Sequence, residues 1–206
     1  MRTATLIAAL SALVVLPCRA QTHHERVVHC NGDDPDEAIS GCSALIQSLR
    51  ETSINRSVAR YNRGMAEVEK GLYNQAIADY TAAIALNPDY PEAYGNRGIA
   101  YGRIGLYDQA IADETRAIAL NPTLDKAYGN RAYAYHLRGK DAQGLADAER
   151  AVMLAPRDVK NLETRAEIYE KVGRRGDAVA DYRALLTLAP NKQSALDGLK
   201  RLGVNP

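Results

Sequence analysis

The sequence predicts an all-α protein, a solenoid of four helical hairpins, and three observations predict it. Prolines fall at 88, 122, 156 and 190, each 34 residues after the last. Glycines at 71, 105, 139 and 173 keep the same period. So do the aspartates Asp79, Asp113, Asp147 and Asp181. Self-similarity at a fixed period of this length marks units that cannot bury an apolar face alone and stack to do so.

The first element in the chain is an address. Arg2 is followed by an uncharged apolar run from Thr3 to Leu16, then Pro17 and Cys18-Arg19-Ala20. This reads as a secretory signal peptide over 1–20, cut after Ala20. Its 14 apolar residues are too short to span a bilayer. The expectation is an exported protein, periplasmic or secreted, with no membrane contact after cleavage. Residues 21–34 read as a flexible tail. Cleavage leaves two cysteines, Cys30 and Cys42, and a close pair in an exported chain reads as a disulfide.

Residues 35–56 read as an N-terminal capping helix and linker. Asp34 supplies the cap, Pro35 suits the first turn, and Asp36 and Glu37 sit at the positive helix end. Asp36 to Leu49 echoes Asn74 to Leu86, offset by 38 residues rather than 34. The repeats follow at 57–90, 91–124, 125–158 and 159–190. Each reads as two helices. The glycine ends the first in a left-handed conformation. Asn-Pro or Ala-Pro ends the second, where proline forbids continuation. Helices are expected near 57–70, 73–87, 91–104, 107–121, 125–138, 141–155, 159–172 and 175–189. After Pro190, residues 191–206 supply a capping helix whose Leu196, Leu199 and Leu202 cover the last hairpin.

The repeat resembles the tetratricopeptide repeat. The stretch Tyr94 to Pro122, Y-G-N-R-G-I-A-Y-G-R-I-G-L-Y-D-Q-A-I-A-D-E-T-R-A-I-A-L-N-P, carries nearly the whole family pattern. Small residues recur at Gly64, Gly98, Ala132 and Ala166 in the first helices, and at Ala76, Ala110, Gly144 and Ala178 in the second. The resemblance implies a right-handed superhelix whose first helices line a concave face that binds peptides or proteins. Four positions depart from the pattern, one of them Ala148, small where Tyr80 and Tyr182 are large. Glu114 stands where Tyr80 and Tyr182 supply a large packing residue, Glu67 replaces the tyrosine of later repeats, and Leu185 replaces a small residue.

Composition narrows function. The chain carries 26 positive and 25 acidic groups, a net of +1. Nucleic-acid binding needs a basic excess that displaces counterions, so no nucleic-acid partner is expected. Twelve tyrosines stand beside no Phe and no Trp. A core of that kind needs a partner for every buried hydroxyl, which suits a thin, extended protein. No phosphate loop, paired-His zinc helix or nucleophile elbow is present, so neither enzyme activity nor a cofactor is expected.

Arg63, Arg97, Arg131 and Arg165 lie 16 residues before Asp79, Asp113, Asp147 and Asp181, each pair centred on a turn glycine. Structural ion pairs within the hairpins are the expectation. Asn62, Asn96 and Asn130, ending in Thr164, are poor helix formers repeated in mid-helix. They are expected to face the concave groove, where an amide can hold a peptide backbone. Beside them run Met65, Ile99, Tyr133 and Glu167, an apolar strip that turns acidic. Arg103, Lys126 and His136 complete the candidate groove, with Lys160 on its rim. The family's clamp for carboxylate tails is incomplete: Asn96 and Lys126 fit it, but Tyr61 and Met65 stand where a Lys and an Asn belong. An internal peptide segment is therefore the expected ligand. The alternative is a copper-handling protein, in which a new terminus Gln21-Thr22-His23 binds Cu(II) in a square plane.

Overall fold

The computed structural model describes residues 22–205, so the signal-peptide reading of 1–20 lies outside the described residues. Among the described residues there are eleven helices and no strand. They are α1 His23–Cys30, α2 Pro35–Gln47, α3 Ser53–Glu69, α4 Tyr73–Leu86, α5 Pro91–Arg103, α6 Tyr107–Leu120, α7 Asp125–Leu137, α8 Asp141–Leu154, α9 Val159–Lys171, α10 Arg175–Leu188 and α11 Gln193–Arg201. No helix among the described residues is long and apolar enough to cross a membrane.

Four hairpins, α3–α4, α5–α6, α7–α8 and α9–α10, turn at Gly71, Gly105, Gly139 and Gly173, whose φ angles are 73°, 80°, 66° and 82°. A side chain would clash in that left-handed region, so the glycine period follows from the turn. The residue after each glycine donates its amide back to a carbonyl five residues earlier, as in Leu106 to Tyr101 at 2.9 Å. The first helix is thereby closed before the second begins.

Successive first helices touch: α3 with α5, α5 with α7, α7 with α9 and α9 with α11. No two second helices touch among the described residues. The first helices therefore line the inner face of the solenoid and the second helices its outer face. Columns of buried alanine, among them Ala76, Ala83, Ala110, Ala117 and Ala151, let the layers approach closely. Larger side chains gather near the C-terminal end, where Leu162, Tyr182, Leu185 and Leu199 form one cluster.

Two expectations need correction. The tail at 21–34 is not flexible throughout: His23–Cys30 is helical, capped by Thr22 and Glu25, which bond each other's backbone amides. The linker is shorter than expected, because Thr52 accepts from the Asn55 amide and starts α3 four residues early. The polar sequence of α1 lies outside the 34-residue frame, and its start is set by the local capping box. The Cys30–Cys42 disulfide joins α1 to α2. At Gly41 a Cβ would lie 2.7 Å from the Cys30 nitrogen and 2.8 Å from the Arg26 carbonyl, so only glycine lets the two helices meet.

Candidate functional site

Each hairpin is built around a repeated ion pair between its two helices. Positions symmetric about a turn face each other in an antiparallel hairpin, and each first-helix Arg grips the second-helix Asp of its own repeat through two hydrogen bonds. The distances are 2.5 and 2.7 Å for Arg63–Asp79, 2.7 and 2.8 Å for Arg97–Asp113, 2.7 and 2.8 Å for Arg131–Asp147, and 2.7 and 2.7 Å for Arg165–Asp181. The aspartates are buried and the arginines half-buried. In three repeats the third arm of the guanidinium reaches back one hairpin: Arg63 to Ser43, Arg97 to Thr81 and Arg131 to Thr115, at 2.8, 2.9 and 3.0 Å. Each of these arginines ties its hairpin to the one before. The hydroxyl column was open to sequence reasoning, since Ser43 and Thr81 show the same 38-residue offset that relates α2 to α4.

The asparagine series is not an open ladder. Asn62 donates to the Asn31 side chain at 2.7 Å, and Asn96 donates to the Tyr61 hydroxyl at 2.9 Å. Asn130 approaches Glu114 on α6 and offsets part of the rise that burial imposes on that carboxyl. Thr164 is buried. The three asparagines each meet an earlier part of the chain. The Asn62 and Asn96 amides each spend one of their two N–H groups in this way. His136 also differs from the expected groove ligand. Its Nδ1 lies 2.5 Å from Asp141 and its Nε2 3.7 Å from Glu167, which pins it between the start of α8 and α9.

The apolar strip is the part left without internal duty. Met65 is 38% exposed and Tyr133 46% exposed. Ile99 between them and Glu167 beyond them are half-buried. Arg103 and Lys126 are exposed at opposite ends of their helices. Tyr61 belongs to the inner packing: its ring lies 4.9 Å from that of Tyr90 and 5.9 Å from that of Tyr80, and burial raises its phenol above the ordinary range.

Glu67 and Glu114 are buried acids whose environment the sequence did not disclose. Glu114 is fully buried, with neither oxygen in a hydrogen bond. Burial raises its carboxyl well above the usual range, and Glu67 is pushed up to about 7 chiefly by the same cause. Their positions in the repeat marked them as departures, but only packing shows that the acids replace tyrosines inside the stack.

Of the residues that would hold copper, Gln21 lies outside the described residues. The Thr22 amide is held by Glu25, and the His23 imidazole lies 3.2 Å from Glu51 with its backbone in the first turn of α1.

Comparison with known proteins follows the repeat frame. A TPR repeat model matches residues 64–105, and a tetratricopeptide repeat model matches 91–124 and 159–192. Among solved structures, MamA is similar with a TM-score of 0.67 at 25% identity, over 78% of this chain and 91% of that one. A thermophilic TPR protein of Thermus thermophilus gives a TM-score of 0.61 at 24% identity, over 82% of this chain and 89% of that one. The first TPR of Spaghetti (RPAP3), bound to the HSP90 peptide SRMEEVD, gives 0.57 at 26% identity, over 61% of this chain and 99% of that one. No curated protein matches the chain.

Proposed function

The chain belongs to the tetratricopeptide repeat family, and from that premise we propose that it is an exported interaction scaffold, periplasmic or secreted, that holds an internal peptide segment of a partner protein across its inner face. One observation carries the reading. Met65, Ile99 and Tyr133 repeat at the 34-residue period along the first helices, and the two outer members are exposed. Exposed apolar area in register with a repeat is a surface for apolar side chains presented along an extended ligand. The carbonyl oxygens of Asn62 and Asn96 accept from its backbone amides, and Arg103 and Lys126 meet charge at the edge.

The similarity to Spaghetti's first TPR supports a peptide ligand, while the residues favour an internal segment over a free C-terminus. Tyr61 stands where a carboxylate clamp needs a lysine, and its hydroxyl is occupied by Asn96.

Peptides selected on the protein from a random display library provide the test. Tyr133→Ala and Met65→Ala together should weaken them by about tenfold or more, with stability changed by under about 1 kcal/mol, as for other exposed positions. Affinity that survives both changes would place the ligand elsewhere.

A further inference from the structure

At its N-terminal end the inner face runs into a cavity of about 390 Å³, bounded by the turn after α1 and by α3. Asn62, Met65, Ala66 and Glu69 form the α3 wall; they recur as i, i+3, i+4 and i+7, one face of a helix. The base is apolar, with Cys30 and Ala66 buried. Two carboxylates line it, Asp33 and Glu69, and neither makes a hydrogen bond or ion pair with any described residue. The nearest lysine in sequence, Lys70, is already bonded to Asp36. Asn62 donates one of its two amide N–H groups to Asn31, and its oxygen is an acceptor. Among the described residues that line the cavity there are acceptors and apolar groups and no lysine, arginine or histidine.

We propose that this cavity takes an arginine side chain of the bound peptide. Its alkyl stem lies along Met65 and Ala66, and its guanidinium sits between Asp33 and Glu69 with the Asn62 oxygen as a third acceptor. Arginine fits because its flat fork presents five donors to separated acceptors, and because its stem is apolar while its head stays hydrated. The disulfide fixes the Cys30–Asp33 turn before binding, so one wall of the pocket needs no ordering when the ligand arrives. This inference rests on the groove reading, since Met65 and Asn62 serve both.

The probe is N-acetyl-L-arginine methylamide, titrated into the ¹⁵N-labelled protein, with N-acetyl-L-norleucine methylamide as the uncharged control. The arginine probe should shift the amide signals of 30–33 and 62–69, with affinity about tenfold above the control. Asp33→Asn with Glu69→Gln should bring the two probes to parity. Both residues are exposed, so that variant should keep the parent's circular dichroism and melting temperature. Equal response to the two probes, or a preference that outlasts the double variant, overturns the proposal. Library peptides that lose affinity with Tyr133→Ala but ignore the Asp33 and Glu69 changes would overturn the pocket and leave the groove intact.

Discussion

Asp113 is 7% exposed and receives both of its hydrogen bonds from Arg97. Asp113→Ala therefore leaves a half-buried guanidinium with nothing to neutralise it, and a loss of about 3 kcal/mol in urea unfolding is expected. Replacing both partners, Arg97→Met with Asp113→Leu, should cost much less, because no charge is stranded. Glu67 supplies the pH dependence. Burial first, and Asp79 second, hold its carboxyl up to about 7 against an ordinary 4.5, with Arg63 offsetting part. Below that ordinary value the group carries its proton whether the chain is folded or not. Between there and about pH 7 unfolding releases the proton, so each rise in pH favours the unfolded chain. Glu114 and Glu167 are raised chiefly by burial and act in the same direction. Thermal unfolding should show stability falling by about 1–2 kcal/mol from near pH 5 to pH 7.5, after solvent screening. Glu67→Gln should flatten that slope, and an unchanged slope would show that its carboxyl ionises freely in the folded chain.

The α1–α2 hairpin depends on two contacts, the disulfide and the close approach at Gly41. Its cluster, Cys30, Cys42, Leu45 and Ala59, is small beside the one at the C-terminal end. A short bridge of this kind contributes roughly 2–3 kcal/mol. Reduction or Cys42→Ser should speed hydrogen exchange through 23–47 and leave 91–188 unaltered, because neither α1 nor α2 contacts any helix beyond α3. Faster exchange along the whole chain would mean that the hairpins unfold as one unit. The helix ends of the repeats were legible beforehand, since glycine and proline act through local backbone sterics. The start of α3 was not, because the Thr52 cap falls before the first repeat and nothing periodic marks it.

The stack behaves as a line of neighbours, and its two ends respond differently. At the C-terminal end α11 covers α10 and touches α9, and Arg201 makes two hydrogen bonds of 2.9 Å to Glu170. Those bonds hold the Glu170 carboxyl below its ordinary range, so their contribution fades as pH falls, opposite in sign to that of Glu67. Ending the chain at Lys192 uncovers Tyr182 and Leu185 beneath Leu199. Exchange in α9 and α10 should then rise by tenfold or more, about 1.4 kcal/mol of local protection, while α3–α6 hold their rates. A uniform change in all helices would contradict nearest-neighbour stacking.

The sequence by itself determined the all-α class, the repeat frame, the hairpin turns and the disulfide pair. Each rests on local sterics or on spacing, and both are written in one dimension: glycine where φ must be positive, proline where a helix must stop, a period where units stack. Tertiary structure alone decided which polar residues remain available. Asn62, Asn96 and His136 look alike in sequence to open groove residues, yet their partners, Asn31, Tyr61, Asp141 and Glu167, come from other elements. The burial of Glu67 and Glu114 belongs with them. Apart from His136 with Asp141, five residues on, the deciding contacts join residues that the local chain does not bring together, and the environment of a side chain exists only once the neighbouring helices are in place.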